Sequence, residues 1–157
     1  MALLRRLPGV DYTQQFVSLV DREQKTAAYR AINPQGFVPT LEIDGQRLTQ
    51  SLAIIVYLDQ TIPEPPLMPR DPADGAHVRA MAMAIACDVH PLGNLRVLKY
   101  LSGVLGQEQG AIDAWIGHWI GEGFAALEAL AAARAGRFLF GDTPTIADLC
   151  LVPQMYN

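Results

Sequence analysis

Five prolines crowd residues 61–72, at Pro63, Pro65, Pro66, Pro69 and Pro72. Proline lacks an amide hydrogen and disfavours helix in the residue before it, so the stretch reads as an extended linker. It divides the 157-residue chain into dissimilar halves. Before it, short strand-like and helix-like pieces alternate; after it, every segment reads as helix. Half the residues are hydrophobic and only 18% are charged, which excludes disorder and supplies material for a core. The expected organisation is an α+β chain with a domain over residues 1–62, a linker over 63–72 and an all-helical domain over 73–157.

Net charge is −4, and no basic run exceeds Arg5-Arg6, so a nucleic-acid surface has no candidate. No apolar run approaches the roughly 18 residues of a membrane span. The N-terminus carries its charges after its apolar residues, unlike a signal peptide. A cytoplasmic chain without a membrane partner is expected. Cys87 and Cys150 lie in apolar surroundings and read as two buried thiols. His77, His90 and His118 show no metal-ligand spacing.

In the first half, residues 16–20 read as a strand and residues 25–32 as a short helix. Residues 38–43 and 46–48 flank Asp44-Gly45, the pair that a tight hairpin turn requires. Ser51 is placed to cap a helix through Leu52, Ile55, Val56 and Leu58 to about Gln60. In the second half, Val78, Met81, Ala82, Ile85, Val89 and Leu92 lay one apolar stripe along a helix from about Ala73. A second long helix buries Ile112, Trp115, Ile116, Trp119, Ile120, Gly123, Leu127 and Leu130. Gly117 and Gly121, costly inside a helix, are expected where a neighbouring helix approaches.

Two features suggest binding. Pro39 at the entry of a strand fits a cis peptide or an edge, where Val38 can offer its N–H and C=O to a peptide-like ligand. An ordinary loop proline is the competing reading. Gln50-Ser51 at a helix start combines free amides, a hydroxyl and a side-chain amide, which together suit a carboxylate. Ser51 acting only as a cap is the competing reading there.

The run Asn33-Pro34-Gln35-Gly36-x-Val38-Pro39, the run from Gln50-Ser51-Leu52 to Tyr57-Leu58 and the proline hinge resemble the glutathione S-transferase superfamily. The segments 85–98 and 140–154 are similar to its zeta class, which contains the maleylacetoacetate and maleylpyruvate isomerases. The resemblance implies a partial thioredoxin-like domain followed by a partial all-α domain. It also implies glutathione as cofactor, held by Gln35, Val38, cis-Pro39, Gln50 and Ser51. It places His90, Asn94 and Arg96 near the substrate, a small diketo acid whose carboxylates suit an arginine fork. His90 beside Pro91 equally suits a side chain satisfied at a helix kink, and Arg96 one reaching solvent. Thr145 and Asp148 resemble the family's buried capping box.

The implied activity is glutathione-dependent cis–trans isomerisation of a maleyl double bond, by a homodimer. A glutathione transferase of broader specificity, or a catalytically silent binding module, are the alternatives. The family's thiol-activating strand and loop have no counterpart ahead of the helix expected at residues 2–7, and its later helices none after Asn157. Truncation at both ends, and weak turnover, are therefore expected.

Overall fold

The computed structural model describes residues 10–156, so the helix expected at residues 2–7 and the Arg5-Arg6 pair lie outside the described residues. Two compact units result, Met1–Pro65 and Pro66–Asn157, and the division falls within the proline-rich stretch.

In the first unit, the strand expected at residues 16–20 does not form. Polar side chains capture its backbone instead. Ser18 donates its N–H to Glu23 Oε2 at 2.7 Å and its hydroxyl to Asp21 Oδ2 at 2.6 Å. The N–H of Glu23 returns to the Ser18 carbonyl at 3.0 Å. Such local bonds compete with a ladder, and no partner strand lies among the described residues. Phe16 and Val20 are left 80% and 87% exposed.

The helix expected from Lys25 separates into a 3-10 turn, Glu23–Lys25, and α1, Ala27–Ile32. Thr26 caps α1 by accepting the Tyr29 N–H at 3.2 Å. Strands β1 (Thr40–Ile43) and β2 (Gln46–Thr49) pair antiparallel, with Thr40 opposite Thr49 and Ile43 opposite Gln46. Asp44 and Gly45 make the turn with φ of 48° and 74°, the two positive angles of a type I′ hairpin. Helix α2, Ser51–Thr61, follows and buries Ile54 and Leu58.

In the second unit, Asp71 caps α3 (Pro72–Met83) by accepting the Ala73 and Asp74 amides, each at 2.9 Å. Pro72 takes the first helical position, where its missing N–H costs nothing. Val78, Met81, Ala82, Ile85 and Val89 are buried as their spacing predicts, whereas Leu92 is half-buried. The helix carrying them is not uniform. It widens to a π-helix over Ala84–Val89 and tightens to a 3-10 turn over His90–Gly93. Pro91 cannot donate to a continuing α-helix, which accounts for the break. Asn94 then caps α4, Leu95–Gly103.

Helix α5, Gln109–Ala131, buries Ile112, Leu127 and Ala131. Leu130, expected on that face, is 47% exposed, because it sits about 100° around the helix from Ala131. The glycines also differ from expectation. A Cβ at Gly117 or Gly121 would meet open space, whereas one at Gly123 would overlap Val89 of the π segment. Gly123 is the close approach. Helix α6, Ile146–Gln154, packs on α3 and on the π segment. Cys87 is exposed, against the expectation of two buried thiols, since it lies between Ile85 and Val89 and faces away from their side. Cys150 is half-buried, and both thiols are free.

No helix among the described residues is long and apolar enough to cross a membrane.

Candidate active site

The loop between α1 and β1 is held from beneath. Asn33, 1% exposed, donates Nδ2–H to the Phe37 carbonyl at 2.8 Å, and its Oδ1 accepts the Gln35 N–H at 3.1 Å. The Tyr29 hydroxyl donates to the same Phe37 carbonyl at 2.9 Å. Lys25 Nζ donates to the Gly36 carbonyl at 2.8 Å and lies 4.6 Å from the Phe37 ring centre. Gly36 has φ of 61°, and a Cβ there would press on the Gln24 carbonyl at 2.6 Å, so glycine is required.

These bonds fix the peptide that leads into Val38. The Val38–Pro39 bond is cis, and Val38 is 40% exposed. Neither backbone polar group of Val38 has a partner among the described residues. An exposed strand entry with both groups unspent is the start of a ladder that a peptide can complete.

The second feature is the start of α2. Gln50 is its N-cap and Ser51 its first residue, so Ser51 does not cap the helix as expected. The Gln50 side chain makes no capping bond, and no other side chain among the described residues caps the helix. The Ser51 amide and hydroxyl have no partner among the described residues. Gln50 adopts φ of 71° and ψ of 122°, a conformation that a side chain makes costly. In that conformation its Nε2–H donates to Gln35 Oε1 at 2.7 Å. Gln35 and Gln50 are thereby brought together beside a bare helix N-terminus, where partial positive charge collects.

In the second unit, the π-helix and the 3-10 turn bring His90 to α6. His90 Nδ1 lies 3.0 Å from Gln154 Oε1. Asn94 accepts the Arg96 N–H on Oδ1 at 3.3 Å, and Arg96 is exposed at the start of α4. His90, Asn94 and Arg96 thus share one turn and the helix start that follows it. Trp115 Nε1–H donates to the Leu92 carbonyl at 2.9 Å and anchors that turn to α5. Burial, with Cys87 nearby, pushes the Cys150 thiol up to about 11, which removes it as a nucleophile at neutral pH. Among the described residues, no three His, Cys, Asp or Glu side chains are grouped to hold a metal ion.

Asn33, Tyr29 and Lys25 were not singled out from sequence, although Asn33 opens the run that was. Gln154 closes the segment 140–154, but its pairing with His90 is not legible in sequence, since the partner lies 64 positions away.

Residues 1–61 match the model of the glutathione S-transferase N-terminal domain, and residues 113–155 that of the C-terminal domain. The maleylpyruvate isomerase of a Ralstonia species is 46% identical over 95% of this chain and 71% of its own length. The chain belongs to the glutathione S-transferase family. Its class within that family is zeta. A holo structure of a bacterial zeta-class maleylpyruvate isomerase superposes with a TM-score of 0.91 at 46% identity, covering 96% of this chain and 72% of the other. The maleylacetoacetate isomerase of Methylobacterium extorquens AM1, solved with malonate and GSH bound, has a TM-score of 0.88 at 38% identity. It covers 96% of this chain and 72% of its own. In this glutathione S-transferase, as expected, a small β-sheet with helices precedes a helical region.

Proposed function

We propose that this zeta-class chain is a glutathione-dependent isomerase acting on a maleyl diketo acid of the maleylacetoacetate or maleylpyruvate type. The observation that carries the reading is the pairing of unspent groups in the first unit. Val38 offers a backbone donor and acceptor, and α2 offers an uncapped start with the Ser51 hydroxyl.

A γ-glutamyl peptide fits those groups. Its central backbone matches the Val38 N–H and C=O beside cis-Pro39. Its carboxylate matches the Ser51 hydroxyl and the first-turn amides of α2, with Gln35 and Gln50 alongside. When bound, glutathione supplies a thiol nucleophile for the conjugated double bond. The residues of this chain bind and orient. Arg96 provides a planar fork for a substrate carboxylate, and the Asn94 amide group adds neutral donors. His90 provides an imidazole nitrogen that accepts a hydrogen bond from an enol or a carboxylic acid. A domain over residues 1–62 holds glutathione, and one over 73–157 recognises the diketo acid. The protein works in the cytoplasm as a homodimer.

The test is product formation from maleylacetoacetate or maleylpyruvate with and without glutathione. Conversion that requires glutathione, and that rises in KM when Arg96 becomes alanine, is the expected result. Glutathione binding without any conversion would instead favour a silent binding module.

A further inference from the structure

His90 meets the one side chain of α6 that is both amide-bearing and buried. Gln154 is 2% exposed and sits near the C-terminal end of that helix. Its Oε1 lies 3.0 Å from His90 Nδ1, while its own Nε2 is buried without a partner among the described residues. In the amide orientation of this structure the carbonyl oxygen of Gln154 faces Nδ1, and because that oxygen can only accept, this orientation puts the proton on His90 Nδ1. A neutral imidazole has one N–H, so its Nε2 is then a bare lone pair. Nε2 has no partner among the described residues, and His90 is exposed.

The surrounding backbone holds this contact in place. The π-helix Ala84–Val89 displaces the chain just before His90, and the 3-10 turn His90–Gly93 begins on it. π-Helical insertions recur at functional sites. Helix α6 packs against that same segment, and its far end is fixed by the Thr145–Asp148 capping box. A methionine or leucine would fill the space of Gln154 without burying an unsatisfied N–H, which is a costly group to leave unpaired. What the amide provides in return is the acceptor opposite Nδ1.

We propose that Gln154 is a positioning residue, which fixes His90 as the Nδ1–H tautomer so that Nε2 faces outward as a hydrogen-bond and proton acceptor. The role of this acceptor toward an enol or acid hydroxyl of the substrate rests on the reading of His90 as a substrate-facing residue. Fixing of the tautomer by Gln154 does not.

The test is nitrogen-15 NMR of the histidine rings in the full chain, at a pH well above the usual imidazole value of about 6.5. His90→Gln identifies the His90 signals by their loss. The expected wild-type spectrum shows a protonated Nδ1 and a pyridine-like Nε2. In Gln154→Leu the Nδ1–H form should cease to be the majority species. Gln154→Glu, which keeps an acceptor oxygen, should retain it. An Nε2–H tautomer in the wild type would mean that the amide is turned over, and would overturn the proposal. An unchanged tautomer in a folded Gln154→Leu protein would overturn it equally. Should Gln154→Leu fail to fold, the wild-type and Gln154→Glu spectra decide. Unaltered glutathione-dependent conversion by His90→Gln would count against the substrate-facing reading alone.

Discussion

Helices α2 and α6 start in opposite ways. At α6, Asp148 gathers three donors: the Thr145 N–H at 2.7 Å, the Thr145 hydroxyl at 2.9 Å and the Leu139 N–H at 2.9 Å. The Ile146 amide reaches the Leu67 carbonyl at 3.2 Å. Thr145, Ile146, Ala147 and Asp148 are all buried. At α2, no side chain among the described residues caps the first turn, Ser51 is exposed, and Gln50 holds a costly positive φ. A helix end whose donors are consumed internally stabilises the fold and has nothing left for a ligand. A helix end left open, at a conformational cost, keeps its donors for one. The two serine- or threonine-led starts look alike in sequence, and only the accounting of donors separates structure from binding.

The largest effect should come from breaking the closed end. Asp148→Ala strands three donors and is expected to lower stability by about 3 kcal/mol or more, read by urea denaturation of the full chain. A loss below about 1 kcal/mol would show that α6 does not depend on this carboxylate.

The open end should respond with the opposite sign. Gln50→Gly removes the side chain that makes φ of 71° costly, so stability should hold or rise by roughly 0.5–1 kcal/mol. Glutathione affinity should fall, because the contact with Gln35 is lost. A less stable protein with intact affinity would make Gln50 structural and erase the contrast.

A smaller effect concerns the thiol carried by α6. Burial raises Cys150 from 9.0 to about 11, so the folded chain keeps a proton that the unfolded chain releases as pH climbs above 9. The unfolded state then binds fewer protons, and stability should decline as pH rises from about 9 toward 11. Iodoacetamide should modify the exposed Cys87 first at neutral pH, with Cys150 lagging, as measured by peptide mass spectrometry. Equal rates would mean that α6 does not shield its thiol.

What sequence could reveal follows from the range of the forces involved. Asp44-Gly45 shows the hairpin because positive φ at two adjacent positions is a local demand. The start of α2 and the linker are legible for similar local reasons. The turn at residues 16–20 was missed because the apolar run Phe16-Val17 and Leu19-Val20 outweighed Ser18, Asp21 and Glu23, whose side chains took the backbone bonds. The π segment was missed because the apolar spacing through Ile85 and Val89 suits a helix of either pitch. Gly123 rather than Gly121 meets a neighbour, since the side facing Val89 depends on how α5 is rotated. In the candidate site, Gln35, Val38, Gln50 and Ser51 are legible as one run and one helix start. The His90–Gln154 pair is not, because only tertiary packing joins them.

The most direct measurement compares Ser51→Ala with Thr145→Ala, each titrated with glutathione by calorimetry and unfolded in urea. Ser51→Ala should lose about 1–3 kcal/mol of glutathione affinity, roughly five- to 150-fold, with stability changed by less than about 0.5 kcal/mol. Thr145→Ala should lose about 1–2 kcal/mol of stability and keep its affinity. Equal glutathione binding by wild type and Ser51→Ala, or a stability loss in Ser51→Ala matching that of Thr145→Ala, would contradict the assignment of the open α2 end to the ligand.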